Sequence, residues 1–256
     1  SRRGVRLAMC ALEDLKKRVL RGGLISAGEA ACLCRVPLAS LCAAAAEICE
    51  KRCGSGFDLC AIVNAKSGRC SEDCKFCAQS GRCTADISEY PLLPEEAVVA
   101  AAHAAEAGGA LRFSLVTSGG RLSDEELASV CRCAARIKSE TGLSVCASLG
   151  LLAAPQFAAL REAGVERIHN NLESSEKFFP NICTTHSWRE KTAAIAAARS
   201  AGLSVCSGGI IGLGETMEDR IDMAFELRAL GIRSVPLNIL NPIAGTPFAK
   251  NRPLTD

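Results

Sequence analysis

Three cysteines fall within eight residues of the segment SGRCSEDCKFCAQSGRC (67–83). Cys70, Cys74 and Cys77 have the spacing C-x3-C-x2-C, and thiolates at such short spacings are typical ligands of iron–sulfur clusters. Zinc is the alternative, but a closed zinc site takes four ligands, usually in paired C-x2-C arms or with histidine. Cys83 follows Cys77 by six residues, which is not the spacing of a zinc arm. The pattern therefore favours a [4Fe-4S] cluster and leaves open what occupies the fourth coordination position.

Composition limits the partners that such a site could serve. The chain has 256 residues, enough for one α/β domain of barrel size, and 48% of them are hydrophobic. Its formal net charge of +2 gives no electrostatic reason to bind nucleic acid or an anionic membrane, and no run of 18 apolar residues could span a bilayer. Glu13 and Asp14 interrupt the apolar part of the N-terminal stretch before a secretory signal could form. We expect a cytoplasmic protein that binds neither nucleic acid nor membrane.

The other cysteines need a separate explanation. The chain contains 16 cysteines, and without an export signal we expect reduced thiols and metal ligands rather than disulfides. Several lie in Ala- and Leu-rich helical stretches, where cysteine is expected to pack as a small apolar residue; they are Cys32, Cys34, Cys42, Cys49, Cys131 and Cys133.

Two patterns divide the chain. Residues 8–53 have the apolar spacing of helices, whereas from about residue 58 short apolar runs alternate with amphipathic helices. The runs are LCAIVNAK, LRFSLVTSGG, LSVCASLGLL, VERIHNNLES, LSVCSGGIIG and IRSVPLNIL. This alternation predicts an α/β fold with a parallel sheet and about six βα units. We therefore expect a helical extension over 1–57 and a barrel domain over 58–256.

Helix boundaries support that division. A serine three residues before a glutamate, the spacing of a capping box, occurs at Ser123 with Glu126 and at Ser187 with Glu190. In parallel α/β folds, working residues gather where strands end and the following loops begin. Here those positions hold Cys70–Cys77, Ser118–Gly120, Cys146, Asn171–Glu173, Cys206 and Asn238. We expect this chemistry to converge on one face.

The segment NAKSGRCSEDCKFCAQS resembles the cluster loop of the biotin synthase family, within the radical S-adenosylmethionine superfamily. The resemblance continues through SVCASLGLL, RIHNNLESS, NICTTH, VCSGGIIGLGET and PLNILNPIAGTPF, and so covers roughly residues 55–250. It implies a radical S-adenosylmethionine barrel of the TIM-barrel type. It also implies a sulfurtransferase that inserts sulfur into dethiobiotin to form biotin.

The resemblance also implies a mechanism. Cys70, Cys74 and Cys77 would hold a [4Fe-4S] cluster with one iron left open for the amino and carboxylate groups of S-adenosylmethionine. Electron transfer would then yield methionine and a 5′-deoxyadenosyl radical, which can attack the saturated carbons of dethiobiotin. The cofactor supplies the difficult chemistry, and the protein positions it and excludes water.

Further site residues follow from the resemblance one at a time. Asn171 and Glu173 match positions that contact the substrate and the adenosyl ribose, although many relatives have aspartate where this chain has Glu173. Asn238 matches a substrate-contacting asparagine, and Ser118 with Gly119 lies where the superfamily supports the methionine amino group. The alternative is that such residues only cap the turns after their strands.

The sulfur donor is where the sequence departs from the best-known biotin synthases. Those enzymes hold a second cluster, of the [2Fe-2S] type, with three cysteines and an arginine. Cys146 and Cys206 match two of the cysteines, Ser114 replaces the third, and the arginine belongs to a later strand that this chain does not reach. Cys183 is a possible replacement, and the pattern resembles the branch from obligate anaerobes, which carry a different auxiliary cluster. The hypothesis is that Cys146, Cys183 and Cys206 bind the auxiliary cluster, whether [2Fe-2S] or a larger variant. Cys60 and Cys83 could compete for the ligand role, but neither fits a barrel-facing position as well.

Length is the second departure. An eight-unit barrel takes about 250 residues by itself, and here the first 57 residues are helical, so we expect an incomplete barrel or a fragment. The resemblance further implies a flavodoxin or ferredoxin as reducing partner and a homodimer. Two other readings remain open: another radical enzyme of the hydrogenase-maturase or mutase type, and a noncatalytic iron–sulfur or zinc-binding protein.

Overall fold

The computed structural model describes residues 2–254 as two compact units, one ending at Phe57 and the other beginning at Asp58. Within these residues, no helix combines the length and the apolar character needed to cross a membrane. Each unit has its own core.

The first unit is a group of three helices: α1 (Arg2–Leu20), α2 (Ala27–Leu33) and α3 (Leu38–Cys53). Leu12, Val36 and Ala44 form its small core, and Lys16 joins α1 to α3 through a 2.7 Å ion pair with Glu47. The expectation that its cysteines pack as apolar residues is wrong, because the short core leaves most helix faces in solvent. Its exposed cysteines are Cys32, Cys34, Cys42, Cys49 and Cys53.

The second unit contains a parallel sheet flanked by helices, as the sequence predicted. Five strands lie side by side in chain order: β1 (Cys60–Lys66), β2 (Arg112–Thr117), β3 (Ser144–Ser148), β4 (Val165–His169) and β5 (Ser204–Cys206). The connecting helices are α4 (Glu95–Ala107), α5 (Asp124–Glu140), α6 (Ala154–Glu162) and α7 (Trp188–Ser200), and α8 (Met217–Ala229) follows β6 (Gly209–Ile211) and precedes β7 (Leu237–Ile239). A short 3-10 turn at Phe179–Asn181 lies between β4 and α7.

Local sequence explains where the helices begin. The capping boxes predicted at Ser123 with Glu126 and at Ser187 with Glu190 both form, each serine accepting a hydrogen bond from the glutamate N–H. Each glutamate side chain accepts in return from the serine N–H, so two helix-end donors are satisfied at once. These caps place the loops before α5 and α7 on the side where the strands end.

Side chains that alternate along the strands lie in two environments, one on each face of the sheet. Phe113 and Leu115 of β2 and Val145 of β3 are buried in the core between sheet and helices. Because neighbouring residues of a strand point to opposite faces, Ser114 and Cys146 point to the other face, which we call the lumen. The lumen face therefore carries polar and sulfur-bearing side chains.

The fifth apolar run is not one continuous strand. It forms β5, which pairs with β4, and β6, which pairs with β7. Single bridges from Glu173 to Gly209 and from Cys206 to Ser234 join the two sheets. Pro236 lacks an N–H and interrupts the sixth run, and only a glycine fits at 208, where a Cβ would collide with the Pro236 carbonyl. The unit thus has six strand positions, the number predicted.

Candidate active site

A cavity of about 260 Å³ lies at the carboxyl ends of the strands. It is lined by most of the residues that the sequence singled out: Cys70, Cys77, Ser118, Gly119, Asn171 and Glu173. Its floor is formed by residues near the ends of the strands, on the lumen-facing side: Asn64, Val116, Ser148 and His169. The cavity therefore continues the lumen at its upper end.

The cluster loop, residues 67–83, follows β1 and folds back on itself. The Cys70 N–H donates to the Gln79 carbonyl at 3.0 Å, and the Cys70 carbonyl accepts from the Gly81 N–H at 2.9 Å. Burial raises the pKa of the Cys77 thiol, and the neighbouring Cys70 thiol raises it further. Thiols whose charged forms are disfavoured in this way gain from binding a cation that neutralises them.

Asp73 attaches this loop to the segment after β4. Its carboxylate accepts hydrogen bonds from the Thr184 N–H at 2.8 Å and from the Thr185 N–H at 3.2 Å. Burial raises the pKa of Asp73, but the hydrogen bonds from Thr184 and its neighbours outweigh it and hold the pKa well below its usual range. Asp73 is therefore ionised throughout the neutral range and fixes the loop in place.

Cys74 faces a different neighbour from Cys70 and Cys77. Its sulfur, the Cys183 sulfur and a ring nitrogen of His186 lie within 4.8 Å of one another. A hydrogen bond from the Cys74 thiol is the largest of the effects that lower the pKa of Cys183 to about 4. His186 Nδ1 lies 2.7 Å from a Glu72 carboxylate oxygen. Cys183 therefore contacts a predicted ligand of the first cluster.

These contacts give no support to the hypothesis that Cys183 binds an auxiliary cluster together with Cys146 and Cys206, which stays a prediction. Cys183 is buried beside the cluster loop, whereas Cys146 lies within β3 and Cys206 ends β5. No contact recorded between described residues connects Cys183 to either of them. Cys183 belongs to the loop after β4. The N–H groups of Thr184 and Thr185 in this loop donate hydrogen bonds to Asp73 and so hold the loop against the cluster loop.

Ser118 and Gly119 lie in the loop after β2. The Ser118 hydroxyl donates to the Gly68 carbonyl at 2.7 Å, and its N–H donates to the Lys66 carbonyl at 2.9 Å. Gly150 packs so closely below this loop that a Cβ there would lie 2.5 Å from the Gly120 carbonyl oxygen. The loop is thereby held against the cluster loop on one side and the end of β3 on the other.

Asn171 and Glu173 lie beyond β4 in a constrained backbone. Glu173 has φ of +69°, which side chains with a Cβ rarely adopt. Its N–H donates to the Gly208 carbonyl at 3.1 Å, and the Asn171 side-chain carbonyl accepts from the Gly208 N–H at 2.9 Å. Burial raises the pKa of Glu173, while Lys191 and Asn171 lower it. An acid held in this way is typical of a functional site.

Lys191 is a cavity residue that sequence reasoning missed. It lies on α7, lines the cavity, and donates from Nζ to the Asn170 side-chain oxygen at 3.1 Å. One lysine in an amphipathic helix has no motif, so only the position of α7 above the strand ends reveals it. It supplies positive charge next to a site that holds thiols and a buried acid.

The predicted substrate contact at Asn238 lies elsewhere. Asn238 is exposed on β7, opposite Ile210, and does not line the cavity. Its substrate role stays a prediction.

Two buried polar atoms at the cavity have no hydrogen-bond partner among the described residues. They are the Thr117 hydroxyl and the Asn170 side-chain nitrogen, and both residues line the cavity. An unpaired buried polar atom costs about 1–3 kcal/mol unless a ligand or water satisfies it. These atoms, the Cys70 and Cys77 thiols and Lys191 fit a cluster together with a small polar ligand.

Comparison with known proteins agrees with this chemistry. The sequence profile of the Radical SAM superfamily matches residues 65–227. A biotin synthase from Akkermansia muciniphila is 52% identical over 246 residues, which are 96% of this chain and 77% of that protein. A biotin synthase from Heliobacterium modesticaldum is 61% identical over 196 residues, or 76% of this chain and 60% of that protein.

Solved structures share the architecture at lower identity. A methylornithine synthase superposes with a TM-score of 0.83 at 20% identity, covering 94% of this chain and 72% of that one. A maturase of the [FeFe]-hydrogenase superposes with a TM-score of 0.81 at 15% identity, covering 100% and 60%. Both show the barrel fold alone. With two cysteines of the triplet at the cavity and the sequence identities above, the chain belongs to the biotin synthase family of the radical S-adenosylmethionine superfamily.

Proposed function

We propose that this chain inserts sulfur into dethiobiotin to form biotin, using S-adenosylmethionine as the radical source. The observation that carries the proposal is the shared cavity: Cys70 and Cys77 line it together with Ser118, Asn171 and Glu173. Relatives named biotin synthase are 52% and 61% identical over most of the chain. The reaction is a sulfur transfer, and the cofactors are a [4Fe-4S] cluster, S-adenosylmethionine and an auxiliary iron–sulfur cluster.

Side chains alone cannot remove hydrogen from saturated carbon. The cluster, when bound, supplies the electron that divides S-adenosylmethionine into methionine and an adenosyl radical. Two hydrogen atoms leave dethiobiotin as two molecules of 5′-deoxyadenosine, two methionines are released, and one sulfur closes the ring. The protein's own groups must therefore bind S-adenosylmethionine and dethiobiotin, orient them, and exclude water from the site.

The cavity residues divide these tasks. Cys70, Cys74 and Cys77 would hold the [4Fe-4S] cluster, which would bind S-adenosylmethionine through a site that the three thiols leave open. The backbone at Ser118 and Gly119 accepts from the amino group. Lys191 balances the carboxylate, because it is the lysine that lines the cavity next to the buried acid.

Two more residues hold the rest of the ligands. The Glu173 carboxylate accepts from the ribose hydroxyls, which satisfy a buried acid whose described side-chain donor is Asn171 at 3.4 Å. Asn171 borders dethiobiotin in the cavity, whereas Asn238 is exposed on β7 outside the cavity and is not needed to hold the substrate there.

Other readings have less support. Methylornithine synthase and the hydrogenase maturase share the fold at 15–20% identity, and fold does not determine reaction. Neither reading requires thiols on the lumen face, where this chain has Cys146. A noncatalytic iron–sulfur or zinc protein would leave the strained, partly buried Glu173 without a ligand.

The remaining partners are also proposals. A flavodoxin or ferredoxin would deliver the electron, since the chemistry consumes one per S-adenosylmethionine cleaved. A homodimer and a cytoplasmic location complete the proposal, and both are typical of the family.

Anaerobic reconstitution tests the function directly. The chain is loaded with iron and sulfide, then given S-adenosylmethionine, dithionite and dethiobiotin, and 5′-deoxyadenosine and biotin are quantified. We expect both products, with nucleoside formation stimulated by dethiobiotin. Nucleoside without biotin would favour the maturase or mutase reading, and no nucleoside would contradict radical chemistry.

A further inference from the structure

The side chains of Cys74, Cys183 and His186 form a compact group beside the cluster loop. Among the described residues, theirs is the one set of three cysteine, histidine or carboxylate ligand atoms that all lie within 4.8 Å of one another. Cys70 and Cys77 line the cavity at the strand ends, whereas Cys74 packs against a small core that contains Cys183. The three cysteines of the triplet therefore have two different groups of neighbours.

The distances in this group suit one metal ion. The Cys183 sulfur lies 3.3 Å from His186 Nδ1. Zinc binds sulfur at about 2.3 Å and nitrogen at about 2.0–2.1 Å, so in a tetrahedral site a sulfur and a nitrogen are about 3.5 Å apart and two sulfurs about 4 Å apart. The three ligand atoms can therefore bind a single ion after small side-chain movements.

Neighbouring side chains hold His186 in position. A Glu72 carboxylate oxygen lies 2.7 Å from His186 Nδ1, and the same oxygen accepts a hydrogen bond from the Thr185 hydroxyl at 2.7 Å. The His186 ring also packs against Phe179, with the ring centroids 5.6 Å apart. Neighbours that orient a histidine in this way are typical of metal sites. Glu72 also carries an oxygen that can take the fourth coordination position.

The group is buried, yet a cavity reaches it. Cys183 is 2% exposed, and the His186 side chain is 7% exposed. A second cavity, of about 460 Å³, is lined by Cys183, His186 and Trp188. It gives an ion a route to the sulfur and the ring nitrogen. Suitable ligands, an oriented histidine and an entry path are the features that a metal site requires.

Two thiolates and an imidazole select the kind of metal. Magnesium, calcium and manganese prefer carboxylate and water ligands, whereas zinc accepts thiolates and imidazole and binds such ligands more tightly than ferrous iron does. A Cys74 thiolate bound to zinc is not available to a cluster at the cavity. Zinc and the first cluster therefore compete for Cys74.

We propose that the cluster-free chain binds one zinc ion through Cys74, Cys183 and His186, and that bound zinc prevents assembly of the first cluster. Zinc thus holds the cluster loop against the segment after β4 until the ion is removed. The ligand set rests on the geometry of this group. Only the competition rests on the proposed function, because it requires Cys74 to be a ligand of the [4Fe-4S] cluster.

Cobalt(II), which replaces zinc and absorbs visible light, reports the site. The full chain is purified anaerobically without iron, titrated with cobalt, and then titrated with zinc in the presence of a chelator of known affinity. We expect the spectrum of a tetrahedral thiolate site, which zinc abolishes. Cys183→Ala and His186→Ala should each weaken zinc binding roughly tenfold or more. Cys70→Ala and the exposed Cys49→Ala, the matched controls, should bind zinc as the wild type does.

Competition is measured by reconstituting the chain with ferrous iron and sulfide, with and without an equimolar amount of zinc. We expect zinc to lower the bound iron and sulfide in the wild type but not in Cys183→Ala. Circular dichroism and thermal melting of each variant show that loss of metal is not loss of folding.

Three results would overturn the proposal. These are undiminished zinc affinity in Cys183→Ala, loss of zinc in Cys70→Ala, which would place the ion at the triplet, and cluster assembly that zinc does not affect. A chain that binds zinc through Cys183 and His186 but forms no biotin would refute the proposed function and leave this site in place. A chain that forms biotin but binds no zinc when cluster-free would refute the site alone.

Discussion

Glu173 combines two unfavourable states in one residue. Its backbone has φ of +69°, and burial raises the pKa of its carboxyl. Hydrogen bonds on both sides of its peptide, to Gly208 and Ile210, hold the backbone in place. Such strain persists only where the surrounding structure enforces it, and it tends to occur where a ligand gains from it.

Replacing Glu173 with glutamine keeps the backbone and removes the charge. Since a charged ribose acceptor is lost, we expect roughly tenfold weaker binding of S-adenosylmethionine, measured by equilibrium dialysis on the reconstituted chain. Glu162→Gln, an exposed change on α6, should have no effect. Equal affinity for both variants would contradict the ribose role.

The same variant has a pH signature in the chain without clusters. A raised carboxyl pKa means that the folded chain loses stability as pH rises from the ordinary value, about 4.3, through the raised one. Glutamine removes that loss. The variant should therefore match the wild type near pH 4 and exceed its free energy of unfolding at pH 8, and the opposite trend in urea titrations would show that burial is not the dominant influence.

Substitution of Lys191 tests its proposed contact with the carboxylate of S-adenosylmethionine. Lys191→Met should weaken S-adenosylmethionine binding roughly tenfold or more, because a charge-assisted hydrogen bond is lost. Lys191→Arg should restore most of it, and the exposed Lys177→Met serves as control. If the methionine variant binds as tightly as the wild type, Lys191 serves only α7.

At the scale of elements, loops position the site and glycines allow them to approach one another. Gly150 has φ of +79° and lies under the carbonyls of Gly119 and Gly120. Gly109, at the end of α4, has a similar φ of +83° but nothing within 4 Å of a Cβ. Substitutions at Gly109 and Gly150 therefore separate the free-energy cost of a left-handed backbone from the free-energy cost of a steric clash.

Gly109→Ala should lower the free energy of unfolding by about 1 kcal/mol, the cost of a left-handed backbone alone. Gly150→Ala should cost roughly 3 kcal/mol, and it should also raise the KM for S-adenosylmethionine because the Ser118 loop shifts. Chemical denaturation and nucleoside formation measure the two effects. Equal costs would mean that the contact below the loop is loose.

Motifs in the sequence were enough to predict the helix starts, the six strand positions and the first cluster loop. Local chemistry sets each of these: a serine with a glutamate three residues on, an apolar run, a cysteine triplet. Partners across the lumen depend on register, which no motif encodes, so the grouping of Cys183 with Cys146 and Cys206 stays a prediction, while the described contacts put Cys183 beside Cys74. The break between β5 and β6 likewise depends on how Gly208 meets Pro236 from another strand.

At the scale of the molecule, the second unit has open sheet edges. Among the described residues, the five-stranded sheet ends at β1 and the two-stranded sheet ends at β7, and single bridges join the two sheets. Leu237 and Ile239 on β7 are 60% and 70% exposed, which is an unusual edge for a β-sheet protein. A ligand that binds the folded unit and not the unfolded chain adds to the unit's stability.

Cofactor binding should therefore stabilise the whole unit. A ligand at 100 times its Kd adds about 2.7 kcal/mol, which is about 5–10 °C in Tm for a domain of this size. We expect such a rise when S-adenosylmethionine is added to the reconstituted chain under anaerobic scanning calorimetry. The chain without the triplet should show none, and a rise there would place the ligand away from the cluster.

The transfer of hydrogen from substrate to nucleoside tests the central claim most directly. Dethiobiotin is labelled with deuterium at the two carbons that receive sulfur. The deuterium content of the 5′-deoxyadenosine formed by the reconstituted chain is then measured by mass spectrometry. Sulfur insertion by this chain predicts deuterium in the nucleoside and about two nucleosides per biotin. Unlabelled nucleoside, or nucleoside formed without dethiobiotin at the same rate, would contradict it.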